Sequence, residues 1–369
     1  MNGSCASTLV RIAGLERGRG EYDEWFLAQD VPFVCLWNCE RWLTGDSRID
    51  LRIEKFRVQP RCGIGSAMAE GYPTKPITFV VPFAAGGPLD SLARAIAEPI
   101  SADLGQSIVI ENVAGAGGSI GVGRVVHAAP DGYTIGVGNW STHVLNGGIY
   151  TLPYNLLDDL APVAPLPSTP QLIVAKSSLP AANFRELVTW LQSNKANVGT
   201  AGVGSASHVS GLLFQNIAKA ELAFVSYRSA GAALQDLVAG HIDLMFDQAS
   251  NSIPQVRADA IKAFAVTSNS RLAVAPDIPT VDEVGLPGFY ISVWNGLWVP
   301  KGTGPDVIAR LNAAAVKAMV MPALQKRFAE LGQDRPAPDQ LSPAALRALQ
   351  KADIDKWWPI LEAAHIKAN

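Results

Sequence analysis

Beyond residue 62 the 369-residue chain contains no cysteine. Cys5, Cys35, Cys39 and Cys62 all lie near the N-terminus, so no disulfide framework staples the remainder, which is long enough to rely on an apolar core. Cys35 and Cys39 lack a second cysteine pair or a histidine pair at zinc-finger spacing. The five histidines are scattered and form no HExxH, so no metal site is expected. No apolar run reaches the roughly 18 residues that a membrane-crossing helix needs. Charge of one sign is not in excess either. The 30 Lys and Arg face 33 Asp and Glu, for a formal charge of −3, which gives nucleic acid no electrostatic reason to bind. What is plentiful is apolar: 48% of residues against 17% charged, a globular balance rather than a disordered one.

Residues 1–69 differ from the rest. They hold nine acidic and nine basic side chains, eight of the latter arginine, and three of the nine tryptophans, with little sustained periodicity. A short helix is expected over residues 22–29. The apolar stretch 31–37 contains Pro32 and is too short for a signal-peptide core. Yet Ala67-Met68-Ala69, ahead of Glu70-Gly71-Tyr72-Pro73, has the small-residue character of a secretory cleavage site. The expectation is that this segment derives from a wrong start or a reading-frame error upstream of a mature exported domain. The alternative is a genuine extra module.

From residue 72, β-rich runs alternate with amphipathic helical stretches, the pattern of α/β architecture with parallel sheets. Strands are expected over 77–83, 107–112, 133–138, 171–175, 197–201, 222–226, 244–247, 261–267 and 297–300. Helices are expected over 89–104, 120–128, 184–193, 207–218, 232–239 and 305–319, with further helices closing the chain. Proline clusters at 162–170 and 276–287 suit extended crossings between lobes better than the interior of an element. If both are crossings, residues 72–170 and 290–369 form one lobe and 171–289 a second, inserted lobe. Two crossings would make a hinge that closes over a ligand.

Four loops follow predicted strands, the place where open α/β sheets put ligands. Phe83-Ala84-Ala85-Gly86-Gly87-Pro88-Leu89-Asp90 leads into a helix whose first turn offers unpaired N–H donors, suited to a carboxylate or phosphate. The bland reading is a tight turn with Asp90 or Ser91 as a cap. The run from Gly115 to Gly121 narrowly misses a dinucleotide fingerprint, because Ile120 stands where its last glycine belongs. Such glycines more often serve close helix–strand packing. Gly202 to His208 supplies Ser205 and Ser207, which can cap a helix or form a polar rim. Arg228 can pair with an anion or sit in solvent, and Asp247 can accept from a ligand donor or cap a turn. A Ser205, His208 and Asp247 relay can be drawn, but there is no GxSxG elbow, and a serine and histidine three residues apart on one helix suit a triad poorly.

These motifs resemble one family. Tyr72-Pro73-Thr74-Lys75-Pro76-Ile77, leading into Val80-Val81-Pro82-Phe83 with Gly86-Gly87 and Asp90, is similar to the opening of Bug-type receptors. These are the extracytoplasmic solute-binding subunits of tripartite tricarboxylate transporters. The likeness continues through Leu104-Gly105-Gln106, Glu111-Asn112, Gly115-Ala116-Gly117-Gly118 and Ala129-Pro130-Asp131-Gly132-Tyr133-Thr134. It persists in Pro279-Thr280, Glu283, Gly285 and Trp294-Asn295-Gly296-Leu297, and so spans residues 72–369.

The resemblance implies a type II periplasmic-binding-protein fold, with two α/β lobes joined by a two-crossing hinge. It implies that Phe83, Ala84, Ala85, Gly86, Gly87 and Asp90, with Asn139, Ser141 and Thr142, hold a ligand carboxylate, largely through backbone N–H groups and water. Ser205, His208 and Asp247 would come from the second lobe. The sequence departs from the family at Ala84-Ala85, where proline is common, and at Arg228-Ser229, where lysine and glycine are usual. The expected protein is a non-enzymatic, monomeric, periplasmic receptor with no cofactor. It would take a small carboxylate and dock on transporter membrane subunits. An α/β enzyme acting on a carboxylate or nucleotide is the rival, and a sensor that presents its ligand to a signalling partner is a third reading.

Overall fold

The computed structural model describes residues 71–367, together with a short antiparallel pairing of Val10–Arg11 with Trp25–Phe26. Within the helix expected over 22–29, Trp25–Phe26 is extended instead, a conformation that bulky aromatics favour. The rest of that helix, the four cysteines and the cleavage-like Ala67-Met68-Ala69 lie outside the described residues.

Strand β1 (Ile77–Val81) lies between the parallel strands β2 (Ile108–Asn112) and β3 (Thr134–Asn139). Next to β3, β9 (Ser292–Pro300) runs antiparallel, and the first part of β4 (Leu160–Lys176) pairs antiparallel with β9 at the edge. The last residues of β4 then enter a second set of strands. There they lie between β7 (Leu244–Gln248) and β8 (Ile261–Val266), both antiparallel to them. Beyond β7, β5 (Ala196–Thr200) and β6 (Leu222–Ser226) complete that set in parallel. A single 17-residue strand therefore belongs to both halves.

The proline cluster at 162–170 was expected to lie outside regular elements, but it is regular strand. The reason is its place. Pro162, Pro165, Pro167 and Pro170 fall where β4 is an edge strand with two register shifts, so the missing N–H groups need not break a ladder on both sides. Where β4 becomes interior, from Gln171 to Lys176, it carries no proline. The chain returns from the second set through Thr267 and Ile291. Thr267 N donates to Gln171 O at 2.9 Å, Thr267 Oγ1 donates to Ile291 O at 2.6 Å, and Gln171 N donates to Thr267 Oγ1 at 2.9 Å.

The helices cover both faces. In α1 (Pro88–Leu104) proline stands at the first helical turn, where its fixed φ helps and no N–H is missed. Its buried stripe includes Leu89, Leu92, Ala93, Ile96 and Ile100, and Gly105 ends it in the left-handed region at φ 69°. The same stripe packs with α8 (Pro305–Met319) over β1 and β3. Arg310 and Lys317 both pair with Asp103 across these two helices. On the second half, α6 (Ala230–Val238) and α7 (Ala249–Arg257) cover one face and α4 (Phe184–Ser193) with α5 (Ala206–Ala218) the other. Helices α2 (Ser119–Val126), α3 (Asn146–Ile149), α9 (Pro322–Glu330) and α10 (Pro343–Ala363) complete the set. Sequence periodicity misses α7, because Ser250, Asn251 and Ser252 read as loop and Pro254 as a breaker.

After β3 a π-helical turn, Ser141–Leu145, buries His143 against Trp298, with ring centroids 3.7 Å apart. Burial pushes the His143 pKa down to about 3, so it packs as a neutral ring. Gly138 makes room for it: a Cβ there would lie 2.0 Å from His143 Cε1. Gly138→Ala should therefore cost about 1–3 kcal/mol by overpacking. Urea unfolding checks this as a lower midpoint with an unchanged slope; an unshifted midpoint would contradict the stack.

Candidate functional site

A cleft opens at the carboxyl ends of β1, β3, β5 and β7, with about 440 Å³ of space when the open solvent at its mouth is included. Phe83, Gly87 and Asp90 line it from the β1 loop and α1, Asn139 and Ser141 from the end of β3, Ser205 from the start of α5, and Asp247 from β7. Ser207, Ser229, Gln171, Phe246 and Gln248 line it as well. Sequence reasoning did not anticipate the last three. Gln171 and Gln248 pair with each other at the point where β4 changes sheets, and no motif marks such a position.

The other expected site residues stand outside the lining. Ala85 and Gly86 are exposed, and Ala84 uses its N–H on Arg228 O at 3.1 Å. The Arg228 side chain is exposed, so this residue contributes a carbonyl rather than its charge. Thr142 is buried behind Asn139, where its N–H donates to Asn139 Oδ1 at 3.1 Å. The His208 ring accepts from Gly204 N at 3.3 Å and packs edge-on to Phe224, and burial lowers its pKa. Among the described residues no hydrogen bond joins Ser205 Oγ to the His208 ring, or the His208 ring to Asp247; of His208, Ser205 Oγ meets only the backbone N–H. Ser205 Oγ also meets Ser207 Oγ at 3.0 Å, so the triad drawn from the sequence lacks its two proton-relay contacts.

Helix starts dominate the wall. Gly87, Ser205, Ser229 and Gln248 are the N-cap residues of α1, α5, α6 and α7, and all four line the cleft. Each helix brings N–H groups unpaired within its own turn and the positive end of its dipole. The side chains of Ser205 and Ser229 accept from His208 N and Ala232 N, taking part of that capacity. No Lys, Arg or His lines the cleft among the described residues. The positive potential comes from peptide dipoles. The ionisable lining groups are both acids.

Those two acids differ. Asp90 is a brace: Oδ2 accepts from Gly86 N and Arg94 Nε, both at 3.0 Å, and Oδ1 accepts from Asn112 Nδ2 at 3.0 Å. Burial works to raise its pKa, but the bonds from Arg94, Gly86 and Asn112 outweigh burial and hold the carboxyl below the usual range. It is ionised and already neutralised, which suits shaping the loop better than meeting an anion. Asp247 is 1% exposed and, among the described residues, has no cation partner. Its Oδ2 accepts from Ser252 Oγ at 2.5 Å and Asn251 Nδ2 at 2.8 Å. Burial raises its pKa to about 7 despite those bonds.

Two neutral donors complete the lining. Asn139 Oδ1 accepts from Ser141 Oγ and Thr142 N, while among the described residues Asn139 Nδ2 has no partner. Gln171 Oε1 accepts from Ser210 Oγ, and Gln171 Nε2 likewise has no partner. Both side chains are at least 97% buried and line the cleft, so their amide hydrogens are available to an acceptor there.

The walls also meet directly. Tyr150 OH donates to Val203 O at 2.7 Å, a Cβ on Gly231 would lie 2.1 Å from Gly86 O, and one on Gly117 would lie 2.3 Å from Val203 O. Added Cβ atoms on Gly118 and Gly121 would strike Thr142 and Pro82. The glycine run that nearly matches a dinucleotide fingerprint is thus filled by protein contacts.

Two α/β lobes around a shared strand, with a cleft between them, define the class of periplasmic binding proteins. Residues 92–366 match the model of the tripartite tricarboxylate transporter family receptor, and the chain belongs to that family. The periplasmic binding protein BugD superposes with a TM-score of 0.78 at 34% identity, covering 80% of this chain and 100% of its own. MatC from Rhodopseudomonas palustris with bound malate gives 0.77 at 39% identity, covering 79% and 100%. A second R. palustris protein, Rpa4515 with adipate, gives 0.76 at 30%, covering 80% and 100%.

The raised pKa of Asp247 has a consequence for stability. In the unfolded chain this carboxyl titrates near about 4. The folded state therefore binds its proton more tightly, and stability falls as pH rises from about 4 to about 7. Asp247→Asn removes that loss while keeping an oxygen for Ser252 and Asn251. Without ligand, the variant should unfold at a higher temperature than the parent at pH 8, with the gap closing near pH 4. Calorimetric melting across that range checks it; a variant less stable than the parent at pH 8 would contradict the burial account.

Proposed function

We propose that the chain is an extracytoplasmic solute-binding receptor that captures a small carboxylate, without turnover, for the membrane subunits of a tripartite tricarboxylate transporter. The observation that carries this reading is the convergence of four helix N-termini on a cleft with no basic side chain. Oriented amide dipoles fixed by the fold have little reorganising left to do when an anion arrives. The malate and adipate of the two R. palustris structures are small acids of the kind proposed. The lack of a hydrogen-bonded nucleophile and base supports binding without conversion.

In this reading residues 72–170 and 290–369 form one lobe and 171–289 the other, and the receptor works as a monomer in the periplasm. The ligand seats between Phe83, Gly87, Asn139 and Ser141 on one side and Ser205, Ser229 and Asp247 on the other. Closure brings Ala84 N to Arg228 O and Gly231 against Gly86 O.

Thermal unfolding of the full chain with malate, adipate and a panel of other mono- and dicarboxylates tests the reading. A ligand at about 100 times its Kd should add roughly 2.7 kcal/mol and raise the midpoint by a few degrees. No shift with any acid, in folded protein freed of bound ligand, would sink it, as would conversion of the ligand during the assay. Gly231→Ala separates closure from folding. The added methyl strikes Gly86 O, so affinity should fall at least about tenfold, read by calorimetry, while the unliganded melting temperature stays near that of the parent. Unchanged affinity would mean that this contact does not form in the complex.

A further inference from the structure

Most charged groups on the elements around Asp247 are paired elsewhere, and the Arg228 side chain, next to Ser229, is exposed. Asp90, on the opposite wall, is paired with Arg94. On α5, His208 turns its ring to Gly204 N and Phe224. On α6, Asp236 bonds Tyr227 and His241, and at the far end of α7, Arg257 is turned to Val274 O. On β4, Lys176 pairs with Asp243, and β5 carries no titratable residue. Around the carboxyl itself stand Ser252, Asn251, Gln171 and Ser207, all neutral. Asp247 Oδ1 has no side-chain partner among the described residues, and the residue lines the cleft. A ligand carboxylate entering this enclosed space would put two like charges together with no cation between them. One shared proton relieves that conflict.

We infer that Asp247 enters the complex as a neutral carboxyl that donates a hydrogen bond to the ligand, so that capture of a carboxylate is coupled to uptake of one proton. The inference rests on the receptor reading above and adds a ligand class to it. The group that meets Asp247 is an oxygen acceptor, as in a second carboxylate or a hydroxyl, and not an ammonium. The proton passes from solvent to Asp247 Oδ1 with no other bond made or broken. In the free protein Asp247 is half ionised near pH 7, because burial sets its pKa at about 7. Below about pH 6 the proton is already present, and affinity should not depend on pH. Above pH 7 a proton must be taken up, and affinity should fall towards tenfold per pH unit.

Isothermal titration of malate into the full chain at pH 8, in buffers of low and high ionisation enthalpy, reads the proton count directly. The expected result is uptake approaching one proton at pH 8 and near none at pH 5.5. With Asp247→Asn, proton uptake should vanish and the Kd for malate, weakened or not, should become flat from pH 6 to 8.5. The parent protein alone gives the proton count, so the test survives a variant that fails to fold. Malate binding without proton uptake at pH 8, or uptake that persists in the variant, would overturn the inference and leave the receptor reading intact. Tighter binding of aspartate than of malate, with no proton taken up, would overturn it in favour of an ionised Asp247 facing an ammonium. Failure of malate and of every acid in the panel to bind would overturn the receptor reading and the inference with it.

Discussion

Strand β4 leaves the edge of one set of strands and enters the middle of another without a break, and the change of neighbours falls at Gln171. Before that residue, β4 pairs along its length with β9 alone, apart from the Ser168–Asp334 bridge, and tolerates four prolines. After it, both sides are paired and the prolines stop. The returning chain is fastened to the same point through Thr267 and Ile291. The two connections between the lobes are therefore one hydrogen-bonded ribbon, narrow enough to bend and too well paired to drift. The Gln171 side chain lies in the cleft while its backbone lies in that ribbon, so a group that takes its amide hydrogens touches the hinge directly.

The electrostatics follow from where this ribbon aims the strands. Parallel strands that end at a common line send their following helices away from it, and the helix starts collect there. Four N-termini facing one space make a positive region without a positive side chain. A lysine or arginine would carry its own hydration and side-chain entropy into the cleft, whereas a fixed N–H carries neither. Arg94 is spent on Asp90, and that pair stiffens the β1 loop by holding Gly86 N and, through Asn112, Phe83 O. Asp247 is the exception, a buried acid without a counter-ion in a site built for anions.

Much of this could be read from the residues, and what could not has physical causes. Alternating apolar runs placed β1, β2, β6 and β7 to within a residue or two, because a buried strand must be apolar to be buried. The four loops stood out because glycine, serine and asparagine after such runs have few other uses. The rest depends on tertiary contact. Pattern alone missed α7, since Ser250, Asn251 and Ser252 open it and Pro254 interrupts it, yet that helix supplies both side-chain donors to Asp247. Gln171 and Gln248 looked like ordinary strand residues, and only the crossing of β4 turns them inward. Arg228 drew attention by its charge, but its side chain is exposed and its carbonyl makes the contact. Asp90 was read as a ligand group or a cap, whereas its three bonds to Gly86, Arg94 and Asn112 make it the loop's internal brace.

Closure in this fold is written in backbone atoms. Ala84 N with Arg228 O and the approach of Gly231 to Gly86 O join main chain of one lobe to main chain of the other, and Tyr150 OH reaches the main-chain carbonyl of Val203. Such contacts demand the absence of a side chain more than the presence of one, and they say nothing about which ligand is inside. Selection must then lie in the side chains that line the cleft, Asn139, Gln171, Ser207 and Asp247 among them. A receptor arranged this way can keep its closing movement while the lining changes, because the two functions use different atoms. It also explains why a deeply buried carboxyl can be tolerated. Its burial lowers stability at neutral pH in the empty protein, and a ligand that brings a hydrogen-bond acceptor to the neutral form recovers that loss only when the lobes are shut.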